Sequence, residues 1–212
     1  MRPTAKRIRN EIKHFSTLDH IWWGALTPAG QRRYDKKFEI FKKICRLQKS
    51  TRILEIGCGD GEFTKRVGGL KCEVVATDIT PKVIETAKKK NRVKNINHLV
   101  DDSEKMKFKD ATFDIVCGVS ILHHINYEKS LNECYRILKR GGNIFFTEPN
   151  LLNPQIFLSL KIGVLRKWLE FSPDETALIR WNIEKILKKI GFKNVQVKNF
   201  DFLHPSTPLS LI

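Results

Sequence analysis

Leu54-Glu55-Ile56-Gly57-Cys58-Gly59-Asp60-Gly61-Glu62-Phe63 is the stretch that decides how this chain folds. An apolar run, read as a strand over Arg52–Ile56, passes directly into three alternate glycines and then into a helix near Glu62–Val67. Glycine tolerates backbone angles that other residues avoid, and it lets a ligand approach the main chain closely. Working outward, strands are expected at Glu73–Thr77, Ile96–Val100, Phe113–Val119, Asn143–Thr147 and Asn194–Phe200. Helices are expected between them, near Pro81–Lys90, Tyr127–Lys139 and Asn182–Ile190. Pro81 suits a first helical turn, where its missing N–H costs nothing. Leu131, Cys134, Tyr135 and Leu138 fall on one helical face, with Gly141-Gly142 expected to end that helix. Strands alternating with amphipathic helices imply an α/β fold: a doubly wound, mostly parallel sheet with helices on both faces.

Length and composition bound the rest. A chain of 212 residues supports one α/β domain with a full core. Residues 1–50 read as a helical N-terminal arm or cap, in which Tyr34, Phe38, Phe41 and Cys45 make an apolar stripe; residues 51–212 read as the main domain. No run of about 20 apolar residues is present to span a bilayer, although peripheral membrane contact stays open. The basic start leads into no apolar signal core, so a cytoplasmic protein is expected. Cys45, Cys58, Cys72, Cys117 and Cys134 are odd in number and show no CxxC spacing, which suits buried, reduced thiols. The net charge of +16 is concentrated in residues 1–50, with 13 basic residues against 4 acidic ones. Such an arm suits either a solvated Lys-rich surface or attraction to RNA, an anionic membrane or an acidic substrate.

The ligand of the glycine loop follows from what surrounds it. A dinucleotide fingerprint wants glycine or alanine where Glu62 stands, and a P-loop wants Gly-Lys-Ser/Thr after the turn. Asp60 and Glu62 would also repel phosphate. S-adenosylmethionine carries no phosphate, and its sulfonium and ammonium are attracted by acidic neighbours. Asp78 ends the second strand, where a carboxylate can accept both ribose hydroxyls. Asp101-Asp102-Ser103 follows the third strand, well placed for an adenine edge.

These motifs resemble those of class I S-adenosylmethionine-dependent methyltransferases, of the small-molecule, methyltransferase-11-like type. Glu55 to Gly61 is similar to the first motif of that family, E/D-x-G-x-G-x-G. Asp78 matches its second-strand acid, Asp102–Phe108 its D-A-E-x-L-P-F segment and Phe113–Val116 its fourth-strand motif. Leu138–Gly142 resembles the L-K-P-G-G turn, with Arg140 in place of proline. The resemblance covers residues 51–200 and implies a Rossmann-like methyltransferase sheet binding S-adenosyl-L-methionine, with S-adenosyl-L-homocysteine as product. It further implies that Glu55 holds the loop or the methionine ammonium, and that Gly57, Cys58, Gly59 and Gly61 line the methionine portion. Asp78 would bind the ribose and Ile79 would pack on adenine; Asp102 would accept from the adenine amino group beside Ser103, and Val119 would lie near the sulfonium.

Beyond the fourth strand, Val119-Ser120-Ile121-Leu122-His123-His124-Ile125 resembles the L-H-H segment of small-molecule members. His123 and His124 are the candidate bases for a hydroxyl acceptor, against the alternative that they merely brace the pocket. No metal is expected, since no further His or Cys stands at ligand spacing with this pair. Glu148 and Asn150 suit either acceptor orientation or capping; Leu151–Phe171 suits a lid, a membrane-surface helix, a dimer contact or a packing helix. Ile21-Trp22-Trp23-Gly24 and Arg32-Arg33-Tyr34 occupy the region that folds over the cofactor in similar proteins. After Phe200 only twelve residues remain, with Pro205 and Pro208 among them, so a seventh strand is expected to be short or missing. The leading expectation is methyl transfer to an oxygen or carbon of a small molecule. An RNA or protein methyltransferase using the basic arm and a non-catalytic S-adenosylmethionine-binding protein remain as alternatives; the oligomeric state is open.

Overall fold

Strand β1 (Arg52–Ile56) runs through the middle of a five-stranded sheet, with β2 (Glu73–Asp78) and β3 (Ile96–Val100) on one side and β4 (Phe113–Val119) and β5 (Leu138–Thr147) on the other. All four pairings are parallel, giving the order β3-β2-β1-β4-β5. The computed structural model describes residues 4–17, 26–164 and 177–200. Parallel strands need helical crossovers, and these cover both faces. Helices α2 (Pro28–Ile44), α3 (Glu62–Gly68) and α4 (Pro81–Lys90) pack on one face, while α5 (Tyr127–Ile137) and α7 (Arg180–Ile190) pack on the other. Helix α1 (Thr4–Thr17) precedes them, and α6 (Pro154–Lys161) follows β5.

The central strands β1, β2 and β4 are buried on both sides, so their residues divide by parity. Ile53 joins Phe41, Phe63, Val74, Cys117 and Phe145 on the α2–α3 side; Leu54 and Ile56 join Val75, Phe113, Val116 and Ile137 on the α5 side. The stripe expected on the second helix is what docks it. Phe41 meets Phe63 and Phe145 edge-on at 5.8 and 5.4 Å between ring centroids. Thr27 starts α2 by accepting the Gly30 N–H at 3.0 Å, and Pro28 occupies the first turn.

Two expectations fail. Helix α5 stops at Ile137, not Lys139, and Leu138 already pairs with Phe113 at the start of β5. Leu138 fits the helical stripe, but its side chain packs on the sheet cluster, and sheet pairing wins. Gly141 and Gly142 therefore lie in an irregular stretch of strand; Gly141 has φ +82°, and a Cβ on Gly142 would approach the Asp114 carbonyl to 2.8 Å. Residues Asn194–Phe200 alternate like a strand but form none. Asn194 enters with φ +55°, and Val195 packs against the α5–α7 cluster. An alternating pattern specifies an apolar face, not a hydrogen-bonded neighbour. Residues 201–212 and Ile21-Trp22-Trp23-Gly24 lie outside the described residues, as does the later part of Leu151–Phe171, whose earlier part forms α6.

Because α2 is held through one ring at the centre of this cluster, Phe41→Ala should cost about 3–5 kcal/mol in chemical denaturation. A loss below about 1 kcal/mol would show that the helix does not belong to the core.

Candidate active site

The chain winds outward from β1 through β2 to β3, then returns to β4 on the opposite side, so strand order reverses between β1 and β4. In open α/β sheets ligands bind at the carboxyl ends of strands, at such a reversal. The loops leaving β1 and β4 meet there at close range. A Cβ on Gly57, which has φ +63°, would come within 2.4 Å of the Ile121 side chain. Gly59, at φ +54°, has no atom within 4 Å of its would-be Cβ, so its main chain faces open space. Gly61 differs from both. Its missing Cβ is taken by Asn91, whose amide also donates to the Gly61 carbonyl at 3.0 Å, so this glycine serves packing. The other candidate cofactor-binding and catalytic residues line one cleft: Glu55, Gly57, Cys58, Gly59, Asp78, Ile79, Asp102, Ser103, Val119, His123 and His124.

Asp78 ties the loop to the sheet. Its two carboxylate oxygens accept the N–H groups of Gly59 at 3.1 Å and Thr80 at 2.9 Å. A carboxylate has ~four lone-pair sites, so each oxygen keeps one for a further donor. Burial raises the Asp78 pKa, and the two backbone N–H groups act against that rise. The Cys58 N–H donates to Thr77 at 2.9 Å, completing the attachment, and burial pushes its thiol well above the ordinary range. Beyond β3, Asp101 donates its N–H to the Asp78 carbonyl at 3.1 Å. Asp102 accepts the Glu104 N–H through Oδ1 at 2.9 Å.

Glu55 is the electrostatic oddity of the sheet. It sits in the central strand at 1% exposure, on the face shared with Ile53. Its Oε2 has no hydrogen-bond partner among the described residues. Burial lifts its pKa from 4.5 to about 8, the Thr64 hydroxyl opposing the rise and the negative Asp78 adding to it. A buried carboxylate oxygen without a donor is costly unless a ligand supplies one. The methionine ammonium of S-adenosylmethionine is such a donor, so the residues present fit this cofactor. Helix α2 adds Arg33, Tyr34 and Lys37 to the same end of the cleft. Burial and the negative Asp60, Glu55 and Glu62 raise the Tyr34 pKa.

The other end of the cleft belongs to β4, β5 and α1. Residues Leu122–His124 form a single 3₁₀ turn. Glu148, just past β5, accepts the Ile121 and Leu122 N–H groups through Oε1, both at 3.0 Å, and meets His123 Nδ1 through Oε2 at 2.6 Å. The His124 ring lies 4.0 Å from that of His123. Helix α1 closes over this side with Arg7, Glu11 and Phe15, and Arg7 pairs with Glu104. No site residue stands out in α1 from the sequence, because its inward charges, Arg7 and Glu11, are of the same type as those on a solvated face.

Known proteins share this fold and align with much of this sequence. Residues 54–146 match the family model described as a methyltransferase domain. A protein of Pelagibacter ubique named ubiquinone biosynthesis O-methyltransferase is 29% identical over 209 residues, covering 90% of this chain and 83% of its own. One of the same name from Coxiella burnetii is 26% identical over 162 residues, covering 71% and 66%. Among solved structures, a SAM-dependent methyltransferase from Archaeoglobus fulgidus shares the fold with a TM-score of 0.63 at 22% identity, over 84% of this chain and 73% of that one. A phosphoethanolamine N-methyltransferase of Haemonchus contortus, solved with S-adenosylhomocysteine, gives a TM-score of 0.64 at 20% identity, over 88% of this chain and 46% of that one. Fold and site thus define the class I, Rossmann-like methyltransferases. Within that class residues 54–146 match the methyltransferase-domain family, and the chain is an S-adenosylmethionine-dependent methyltransferase.

The raised pKa of Glu55 has two measurable consequences. Between 4.5 and about 8 the unfolded chain carries a charge that the folded one does not, so stability of the ligand-free protein falls as pH rises through that window. An ammonium instead selects the ionised carboxylate. Calorimetry should show S-adenosylhomocysteine affinity rising about tenfold per unit between roughly pH 6 and 7 and levelling above about 8. Glu55→Gln should abolish the rise; an identical rise in that variant would assign the effect elsewhere.

Proposed function

We propose that the protein transfers a methyl group from S-adenosylmethionine to a hydroxyl oxygen of a small-molecule acceptor, with His123 as general base. We further propose that it acts in the cytoplasm, a reading supported by its five buried, unpaired cysteines. The observation that carries the acceptor reading is the 2.6 Å contact between His123 Nδ1 and Glu148 Oε2. Facing a carboxylate, Nδ1 keeps the proton, and Nε2 on the opposite side of the ring becomes the acceptor. Glu148 cannot swing away, because its other oxygen holds two main-chain N–H groups of the same loop. The ring therefore keeps its orientation as its charge changes.

Bound S-adenosylmethionine supplies an activated methyl group on a positive sulfur. What remains for the protein is to orient the acceptor and take its proton. Positioning of reactants is worth about 7–11 kcal/mol in favourable intramolecular reactions. A general base adds ~10²–10⁴-fold. Oxygen as the receiving atom is supported by the O-methyltransferase relatives, and carbon is the second choice carried by the sequence resemblance.

Incubation with methyl-labelled S-adenosylmethionine and a panel of phenols and alcohols tests the reading. Label should enter a hydroxyl, and His123→Ala should cut kcat by about 10²–10³-fold while S-adenosylhomocysteine affinity stays within about threefold. Transfer that survives His123→Ala at saturating acceptor would remove this residue from the chemistry. Labelling of RNA, with binding that weakens steeply in salt, would move the acceptor to the polymer class.

A further inference from the structure

Helix α1 buries the wrong residues for a simple cap. Arg7, Glu11 and Phe15 stand four apart on one face, and that face turns inward: Arg7 is 3% and Glu11 5% exposed, while Lys6, Arg9 and Lys13 point outward. Burying charge is costly unless it is paired, and leucine or isoleucine would hold a helix on the domain more cheaply. Each buried charge has a partner on a site loop. Arg7 pairs with Glu104, which follows β3 and also accepts the Asn126 N–H at 2.8 Å. Glu11 Oε2 lies 3.3 Å from His124 Nδ1, and the Phe15 ring meets the His124 ring edge-on at 5.2 Å. The helix thus spans from the loop after β3 to the loop after β4, and sets a carboxylate at ion-pair distance from Nδ1 of the second imidazole and an aromatic ring at right angles to it.

We propose that Glu11 is a positioning residue: from α1 it orients His124 beside the His123–Glu148 pair, so the acceptor-binding surface is built from two separate elements. His123 is fixed by its own sheet edge through Glu148, whereas His124 takes its orientation from the N-terminal helix. His124 then offers the acceptor a hydrogen bond that is present only while α1 is seated. The proposal rests on the reading that the histidine pair faces the methyl acceptor.

Two measurements test it, one of which needs no activity. In full-length protein labelled with ¹⁵N-histidine, Glu11→Gln should shift the ring nitrogen resonances of His124 more than those of His123. Unchanged His124 resonances would overturn the proposal whether or not methyl transfer is ever observed. In the transfer assay, Glu11→Gln should lower kcat/KM for the acceptor at least tenfold, mainly through KM, with S-adenosylhomocysteine affinity within twofold. Combining it with His124→Ala should lose no more than His124→Ala alone, since Glu11 acts through that ring. Glu11→Asp, which keeps the charge on a shorter arm and guards against a misfolded glutamine variant, should lose less than Glu11→Gln. Multiplying losses in the double variant, or equal losses for aspartate and glutamine, would overturn the proposal. Failure of His123→Ala to affect transfer would count against the underlying base assignment and leave the resonance test standing.

Discussion

Two main-chain N–H groups, from Gly59 and Thr80, converge on the carboxylate of Asp78, and the geometry of the cofactor half of the cleft follows from that convergence. The loop after β1 would otherwise be three glycines with little to hold them. Asp78 fastens it to the tip of β2, and the Cys58–Thr77 hydrogen bond repeats the attachment one residue earlier. The loop then presents open main chain at Gly59 and leaves Oε2 of the buried Glu55 without a donor among the described residues. Cost and purpose coincide here. A carboxylate held dry in the central strand destabilises the empty protein, and the same carboxylate gives a cationic ligand something to neutralise.

The acceptor half is organised differently. One loop, Ile121–His124, is braced from the sheet by Glu148 and from the N-terminal helix by Glu11 and Phe15. Carboxylates at both ends of a tilted imidazole pair brace it from two sides, and the His123–Glu148 hydrogen bond adds direction to packing. This also bears on the basic arm. Arg7 and Lys37 are buried against the domain, so part of the positive charge of residues 1–50 serves internal pairing and packing instead of facing a polyanion.

Much of the sheet was legible in the sequence because its signals are local. Glycines at 57, 59 and 61 mark a strand-to-helix turn, Pro81 marks a first turn, and short apolar runs mark strands buried on both sides. The acids at strand tips were legible for the same reason, since topology places every such tip on one edge. Where reasoning failed, a tertiary contact overrode a local pattern. Leu138 continues a helical stripe yet pairs with Phe113, and Asn194–Phe200 alternates like a strand without acquiring a partner. Gly61 shares the motif's spacing with Gly57 and Gly59, but its role is set by Asn91, thirty residues away. Glu11 and Arg7 were illegible because nothing in a charged, mostly basic stretch distinguishes an inward-facing group from a solvated one. Only their partners do, and those lie about a hundred residues along the chain.

A crystal structure of the protein with S-adenosylhomocysteine would bear most directly on the whole account. It should show the ribose hydroxyls on Asp78, the amino group against Glu55 and the sulfur facing the turn from Val119 to Ile121. A ligand bound away from Glu55 and Asp78, or a cleft that stays empty at saturating concentration, would contradict it.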